Sequence, residues 1–244
     1  MVTEESGQPR QREPVLALRA LAIQQLPLTL AVPYKGLILE QTLQPRVVGD
    51  DGVIFPPPKL LLCAAIYQTA YLHSRFLPAT VRGYAQWLTT ERCELHLSNL
   101  RFLATPWRPR REQRVQPEEH LAVTVWVNRI PFQALLTDLG IHGVGLLFDS
   151  WVETPPANLA RGLKFDVTLP LASQHAITVA AELVHVRRYQ EHLWQTGARL
   201  FPTLEQERWL DHYVAERRVE IYSELEQRAR ELRDVAQSSG LFFS

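Results

Sequence analysis

Two short stretches of this chain concentrate side chains that could grip an anion. The first is Arg110-Arg111-Glu112-Gln113-Arg114, with Arg108 just upstream, and the second is Asp138-Leu139-Gly140-Ile141-His142-Gly143. A guanidinium is planar and permanently charged. Its fork of donors matches phosphate oxygens or the O6 and N7 of guanine, and its flat face stacks on a base. Arg110 and Arg114 stand four apart, a spacing that lets both hold one ligand from one side. A carboxylate at Asp138 can accept hydrogen bonds from paired N–H donors. Gly140 and Gly143 allow a close backbone approach where a Cβ would clash. His142 adds a ring nitrogen that can donate, or is simply a solvent-exposed histidine of the turn. Each stretch alone has a plainer reading. The first is also what a solvated basic linker looks like, and the second is also a hairpin turn that uses Asp and Gly for backbone reasons.

Other chemistries find no footing. His185 and His192 flank Arg187-Arg188, but no carboxylate or cysteine has metal-ligand spacing with them. Ser150 and Ser173 lack the setting of a hydrolase elbow. No phosphate-binding loop or dinucleotide fingerprint occurs. Cys63 and Cys93 are isolated, which argues against a disulfide framework or a zinc site and suits a reducing compartment. We therefore expect no catalytic residues, no metal and no enzyme. Acids and bases balance at 26 each, so no global field favours nucleic acid or an anionic membrane. Only Lys35, Lys59 and Lys164 are lysines, so most of the cationic character is arginine. There is no signal-peptide core and no run of roughly 18 apolar residues, so a cytoplasmic protein without a membrane span is expected.

The elements that must position these stretches follow from periodicity. Residues 1–13 are polar and read as a disordered tail. Residues 14–25 read as a short helix with Pro14 near its first turn. Short apolar runs follow at 26–32, 36–43, 59–77, 80–88 and 93–103, punctuated by Asp50-Asp51-Gly52 and Pro56-Pro57-Pro58. They predict an antiparallel sheet or small barrel over 14–104, with 59–77 as two strands or one bent one. Residues 105–120, carrying Trp107 and the arginine run, read as an interdomain linker, with Trp107 either packing on the barrel or stacking with a ligand base. Residues 121–202 then hold six strand patterns. The cleanest sets Leu121, Val123, Val125 and Val127 on one face and Thr124 and Trp126 on the other. Six such strands suit a small closed barrel. Thr203 to Gln206 fits a capping box. The stripe Leu210, Val214, Ile221, Leu225 and Leu232 predicts a helix over 203–237, about 45–50 Å long. One small barrel does not cover that length, so the distal part is expected to be free for a partner or a second copy.

Taken together, in this order and setting, the two stretches resemble the PilZ family. That family carries RxxxR at the entrance to its first barrel strand and a D/N-x-S-x-x-G turn after the next strand. Arg110 and Arg114 match the first motif, Arg111 gives the doubled arginine frequent in it, and Asp138 and Gly143 match the second. Gly140 stands where the family has serine, which removes a hydroxyl hydrogen bond worth about 0.5–1.5 kcal/mol. The resemblance covers about residues 106–235. The β domain before it is similar, in architecture and length, to the N-terminal domain of YcgR-type flagellar brake proteins. The resemblance implies a mainly β protein of two β domains, the second a six-stranded antiparallel PilZ-type barrel followed by a long C-terminal helix. It implies a bacterial cyclic di-GMP receptor that binds through Arg110, Arg111, Arg114, Asp138, Gly140, His142 and Gly143. Ligand would order the linker and change interdomain orientation. The partner would be a downstream protein of the flagellar motor, polysaccharide or pilus machinery, with a possible homodimer through the terminal helix. The other implication is a PilZ-like adaptor that binds no nucleotide and acts by protein contact alone.

Overall fold

The structure is a computed structural model that describes residues 9–56, 58–89, 94–105, 112–150, 159–172 and 175–238. Contacts divide the chain into two units. One comprises Met1–Tyr34, Ile38–Pro109 and Tyr222–Ser244, and the other Lys35–Leu37 and Arg110–Ile221.

In the first unit, helix α1 (Pro9–Ile23) precedes strands β1 (Leu28–Tyr34), β2 (Leu37–Leu43), β3 (Val47–Val48) and β4 (Gly52–Phe55). Helix α2 (Lys59–Ala65) and strands β5 (Thr69–His73), β6 (Val81–Thr89) and β7 (Glu94–Phe102) follow. The strands make one seven-stranded sheet in the order β2-β1-β5-β6-β7-β4-β3. Its inner face is apolar, with Leu28, Leu30, Leu72, Leu95 and Leu97 fully buried. Two expectations are corrected here. α1 starts at Pro9, so Pro14 lies inside the helix rather than near its first turn. The start of the 59–77 stretch is helical: Lys-Leu-Leu-Leu-Cys-Ala-Ala contains no β-branched residue and is rich in strong helix formers, and only the part from Thr69 enters the sheet.

The second unit is built from β8 (Ala122–Val127), β9 (Ile130–Leu139), β10 (Gly143–Asp149), β11 (Lys164–Ala172), β12 (His175–Arg188) and β13 (Leu193–Phe201). These close into a barrel in the order β10-β13-β12-β11-β8-β9, with antiparallel neighbours throughout. Closure pairs every strand on both sides and leaves no open edge. The alternation in β8 is as expected: Val123, Val125 and Val127 are buried, whereas Trp126 faces out and its indole N–H donates to Thr168 Oγ1 (3.0 Å). The core also takes Leu136, Leu146, Phe148, Val167, Leu169, Val179, Leu183 and Leu200. This is the mainly β architecture, with a six-stranded barrel, that the family resemblance implied.

Helix α3 runs Leu204–Ser238. Its capping box forms both ways: Thr203 N–H donates to Gln206 Oε1 (2.9 Å), and Gln206 N–H to Thr203 Oγ1 (3.3 Å). Leu210, Val214, Ile221 and Leu225 are buried as the stripe predicted, while the side chain of Leu232 lies outside the described part. The distal helix is not bare, which corrects the expectation that it is left free. Leu225 and Ala229 are buried, and Arg228 donates to Tyr34 Oη (3.1 Å) with its guanidinium over the Tyr34 ring. No described helix is long and apolar enough to cross a membrane.

Leu210 is 0% exposed and belongs to the barrel core, whereas Leu204, six residues earlier, is 68% exposed. Leu210→Ala is expected to destabilise the barrel by about 2–5 kcal/mol, and Leu204→Ala by no more than about 0.5 kcal/mol. Urea unfolding of both variants measures the difference.

Candidate functional site

The site begins with a fault in a strand. β9 and β10 pair with a register shift: Asp138 faces Gly145, but Leu136 faces Leu146, so Thr137 is an extra residue on β9. Such a bulge advances the in–out alternation by one. Leu136 and Leu139 both enter the core, and Asp138 is left outside it. Gly145 makes the room. A Cβ there would sit 2.5 Å from both Asp138 Oδ2 and Thr137 Oγ1.

The segment 112–116, which we call the arm, lies directly on this rim. Val115 and Leu139 exchange two backbone hydrogen bonds, each 2.9 Å. Their pairing sets Arg114 beside Asp138, and Arg114 Nη1 donates to Asp138 Oδ1 at 2.7 Å. The two side chains are 21% and 18% exposed, so the ion pair is largely shielded from water. The guanidinium passes over Gly143, where a Cβ would stand 2.8 Å from Cζ. The turn is closed by Gly140 N–H donating to Gly143 O (2.8 Å) and is tied to β13 by Leu200 N–H donating to His142 O (3.0 Å).

The expected site residues are therefore placed as follows. Arg114, Asp138, Gly140 and Gly143 come together at one rim of the barrel. His142 is on the same turn, but its ring faces carboxylates: Nδ1 is 3.5 Å from Glu112 Oε1, and Nε2 is 3.2 Å from Glu207 Oε1 on α3. Arg110 and Arg111, with Arg108 and Trp107, lie outside the described residues. So do Cys93 and Ser173. Of the other candidates, His185 lies over Gly197 on the neighbouring strand, and the backbone oxygen of His192 accepts from Ser150. Among the described residues, no His, Cys, Asp and Glu cluster could hold a metal. A cleft of about 650 Å³ opens elsewhere on the barrel wall, between Trp126, Arg129, Lys164, Asp166, Glu182 and Phe201, and neither the arm nor the turn lines it.

Several residues of the site had no place in the sequence reading. Glu112 accepts the His142 backbone N–H (2.8 Å). Arg218 Nη1 donates to Gln113 Oε1 (2.8 Å), and Arg217 Nε to Gln116 O (3.0 Å). Gln116 N–H donates to Lys35 O (2.8 Å), in a turn whose Gly36 has φ +85°. Arg217 left one trace in the sequence. It falls on the helical period between Val214 and Ile221, an arginine in the place of an apolar residue, and it is 3% exposed.

No family model matches the chain, and no curated relative does. Solved structures do resemble it. The MrkH–c-di-GMP complex of K. pneumonia is 14% identical with a TM-score of 0.45, over 88% of this chain and 96% of that one. YcgR of Escherichia coli in complex with c-di-GMP is 19% identical with a TM-score of 0.39, over 94% of this chain and 99% of that one. The PilZ domain of YcgR with c-di-GMP, also from Escherichia coli, is 19% identical with a TM-score of 0.36, over 52% of this chain and 98% of that one.

One titratable group on α3, packed against the barrel core, is displaced from its ordinary behaviour. Burial pushes the Tyr213 phenol up; the Arg217 charge acts the other way, and Glu220 and Glu118 add to the rise. A phenol whose pKa is raised by folding contributes stability that is fully present below the unfolded value of about 10 and is lost as pH rises through the folded value. The barrel is therefore expected to lose stability on the alkaline side of that window. Tyr213→Phe should flatten this limb, as read from thermal melts of both proteins between neutral and strongly alkaline pH.

Proposed function

We propose that this chain is a PilZ-type receptor of YcgR-like organisation that binds cyclic di-GMP on the barrel rim, a binding module and not an enzyme. The observation that carries the reading is the Arg114–Asp138 pair laid over Gly143. One side chain there suits phosphate or the Hoogsteen edge of guanine, the other suits the Watson–Crick edge, and the missing Cβ at Gly143 lets the guanidinium lie against the turn. Arg114, with Arg110 and Arg111 from the same run, takes the phosphates and stacks on the bases. Asp138 accepts from guanine N1–H and the amino group. Gly140 and Gly143 bring backbone close to the ligand. Ligand bridging the arm to the rim would change the relative orientation of the two units. That change would be read by a downstream protein of the flagellar motor, polysaccharide or pilus machinery.

Gly140 supports a second reading, a PilZ-like adaptor that has given up nucleotide and works by protein contact. It removes the family's serine hydroxyl, and the arm already sits on the turn through its own hydrogen bonds. Calorimetry on the full chain separates the two. Under the receptor reading, cyclic di-GMP binds with micromolar affinity or better, and Arg114→Ala and Asp138→Ala each weaken it by about tenfold or more, the effect of roughly 1.4 kcal/mol in a charged hydrogen bond. No heat from the wild type or from either variant at ligand concentrations up to about 100 μM, where a binding free energy of roughly 5–6 kcal/mol would register, rejects the receptor and favours the adaptor.

A further inference from the structure

The arm is held from three directions, and each hold can be named. On the rim side it has the two-way Val115–Leu139 pairing, the Arg114–Asp138 ion pair and the Glu112 acceptor for the His142 N–H. On the helix side, Arg218 grips the Gln113 side chain and Arg217 the Gln116 carbonyl. On the third side, Gln116 N–H reaches Lys35 O. Two glycines let the arm's backbone in. A Cβ on Gly140 would lie 2.9 Å from Gln113 O, and a Cβ on Gly36 would lie 2.9 Å from Arg114 O. Both obstacles are backbone carbonyls within a hydrogen-bonded segment, which cannot swing aside as the tip of a side chain can. Any residue larger than glycine at 140 must therefore push the arm and the turn apart.

A docked arm also consumes what a nucleotide would use. A guanidinium offers two parallel N–H donors to a carboxylate, and the N1–H and amino group of guanine offer the same pair. With Arg114 on Asp138, the rim's acceptor and the arm's cation satisfy each other.

We propose that Gly140 sets the affinity of this site by letting the arm dock in it as an internal substitute for ligand, and that Arg218 is the positioning residue that holds the arm there from α3. For its ligand the proposal rests on the nucleotide reading above; for the docking it does not. Arg217 fits the same role. A buried arginine in an apolar stripe is costly unless its donors are used, and here Nε goes to the arm's Gln116 carbonyl and Nη1 to Glu220. Ligand binds only the fraction of molecules whose arm is lifted, so the apparent dissociation constant is the intrinsic one divided by that fraction. Serine at 140, the family's own choice, holds the arm off and makes the rim more available.

The test uses full-length wild type, Gly140→Ser and Arg218→Ala, with Arg218→Lys as the conservative variant. Gly140 has no left-handed φ, so serine fits its backbone. The first measurement, made without ligand, is hydrogen exchange at the Val115, Gln116 and His142 amides. Gly140→Ser and Arg218→Ala should each speed exchange by about tenfold, while Arg218→Lys, which keeps a donor for Gln113, should stay near wild type. The second is calorimetry with cyclic di-GMP, where the first two variants should bind about three- to tenfold more tightly. Unchanged protection in both variants overturns the docking. Faster exchange with weaker nucleotide binding overturns the affinity role, because the docked arm is then the binding-competent form. Faster exchange with no nucleotide bound by any of the four proteins supports the docking and rejects the nucleotide reading instead.

Discussion

A strand in a closed barrel has to alternate, because one face meets a dry core and the other meets water. β9 breaks that rule once, at Thr137, and the site follows from the break. With one extra residue, Leu136 and Leu139 both reach the core while Asp138 is delivered to the outside beside Gly145. Without the bulge, Asp138 would take a core position, where an unpaired carboxylate costs several kcal/mol. Leu139 does two jobs as a result. Its side chain closes the barrel, and its backbone pairs with Val115 and so brings Arg114 onto Asp138.

The ion pair is the chemical centre of the rim, but it is only one of several bonds that hold the arm in place. An isolated Arg–Asp pair near a surface contributes on the order of 1 kcal/mol or less. The arm's position comes from the sum of backbone pairing to β9, backbone pairing to the Lys35–Gly36 turn and two arginine contacts from α3. Such a sum of modest bonds can be shifted by one substitution or by one ligand. The same helix that completes the barrel core through Leu210 also reads the arm through Arg217 and Arg218, so core packing and site geometry share one element.

Much of this was legible in the chain. The β8 alternation, the six strand patterns and the capping box at Thr203 and Gln206 correspond to observed elements, because each is a local pattern whose period matches its backbone. The first unit was harder. The Lys59–Ala65 stretch is apolar at every position after Lys59, and a short apolar run carries no period to tell helix from strand. The distal half of α3 looked uncovered because its length was compared with the barrel alone; its stripe is buried past Ile221, and Arg228 lies on Tyr34.

By itself the sequence determined which residue types were available at the rim. It set two stretches with the chemistry for phosphate and guanine, and it put glycine at 140 and 143, because identity and spacing are properties of the chain. Only the tertiary structure decided which of those groups face one another. The bulge at Thr137 turns Asp138 outward, the Val115–Leu139 pairing brings in Arg114, and α3 carries Arg217 and Arg218 to an arm about a hundred residues away in sequence. Contacts over such separations follow from closing the barrel and folding the helix back along it. No local period encodes them.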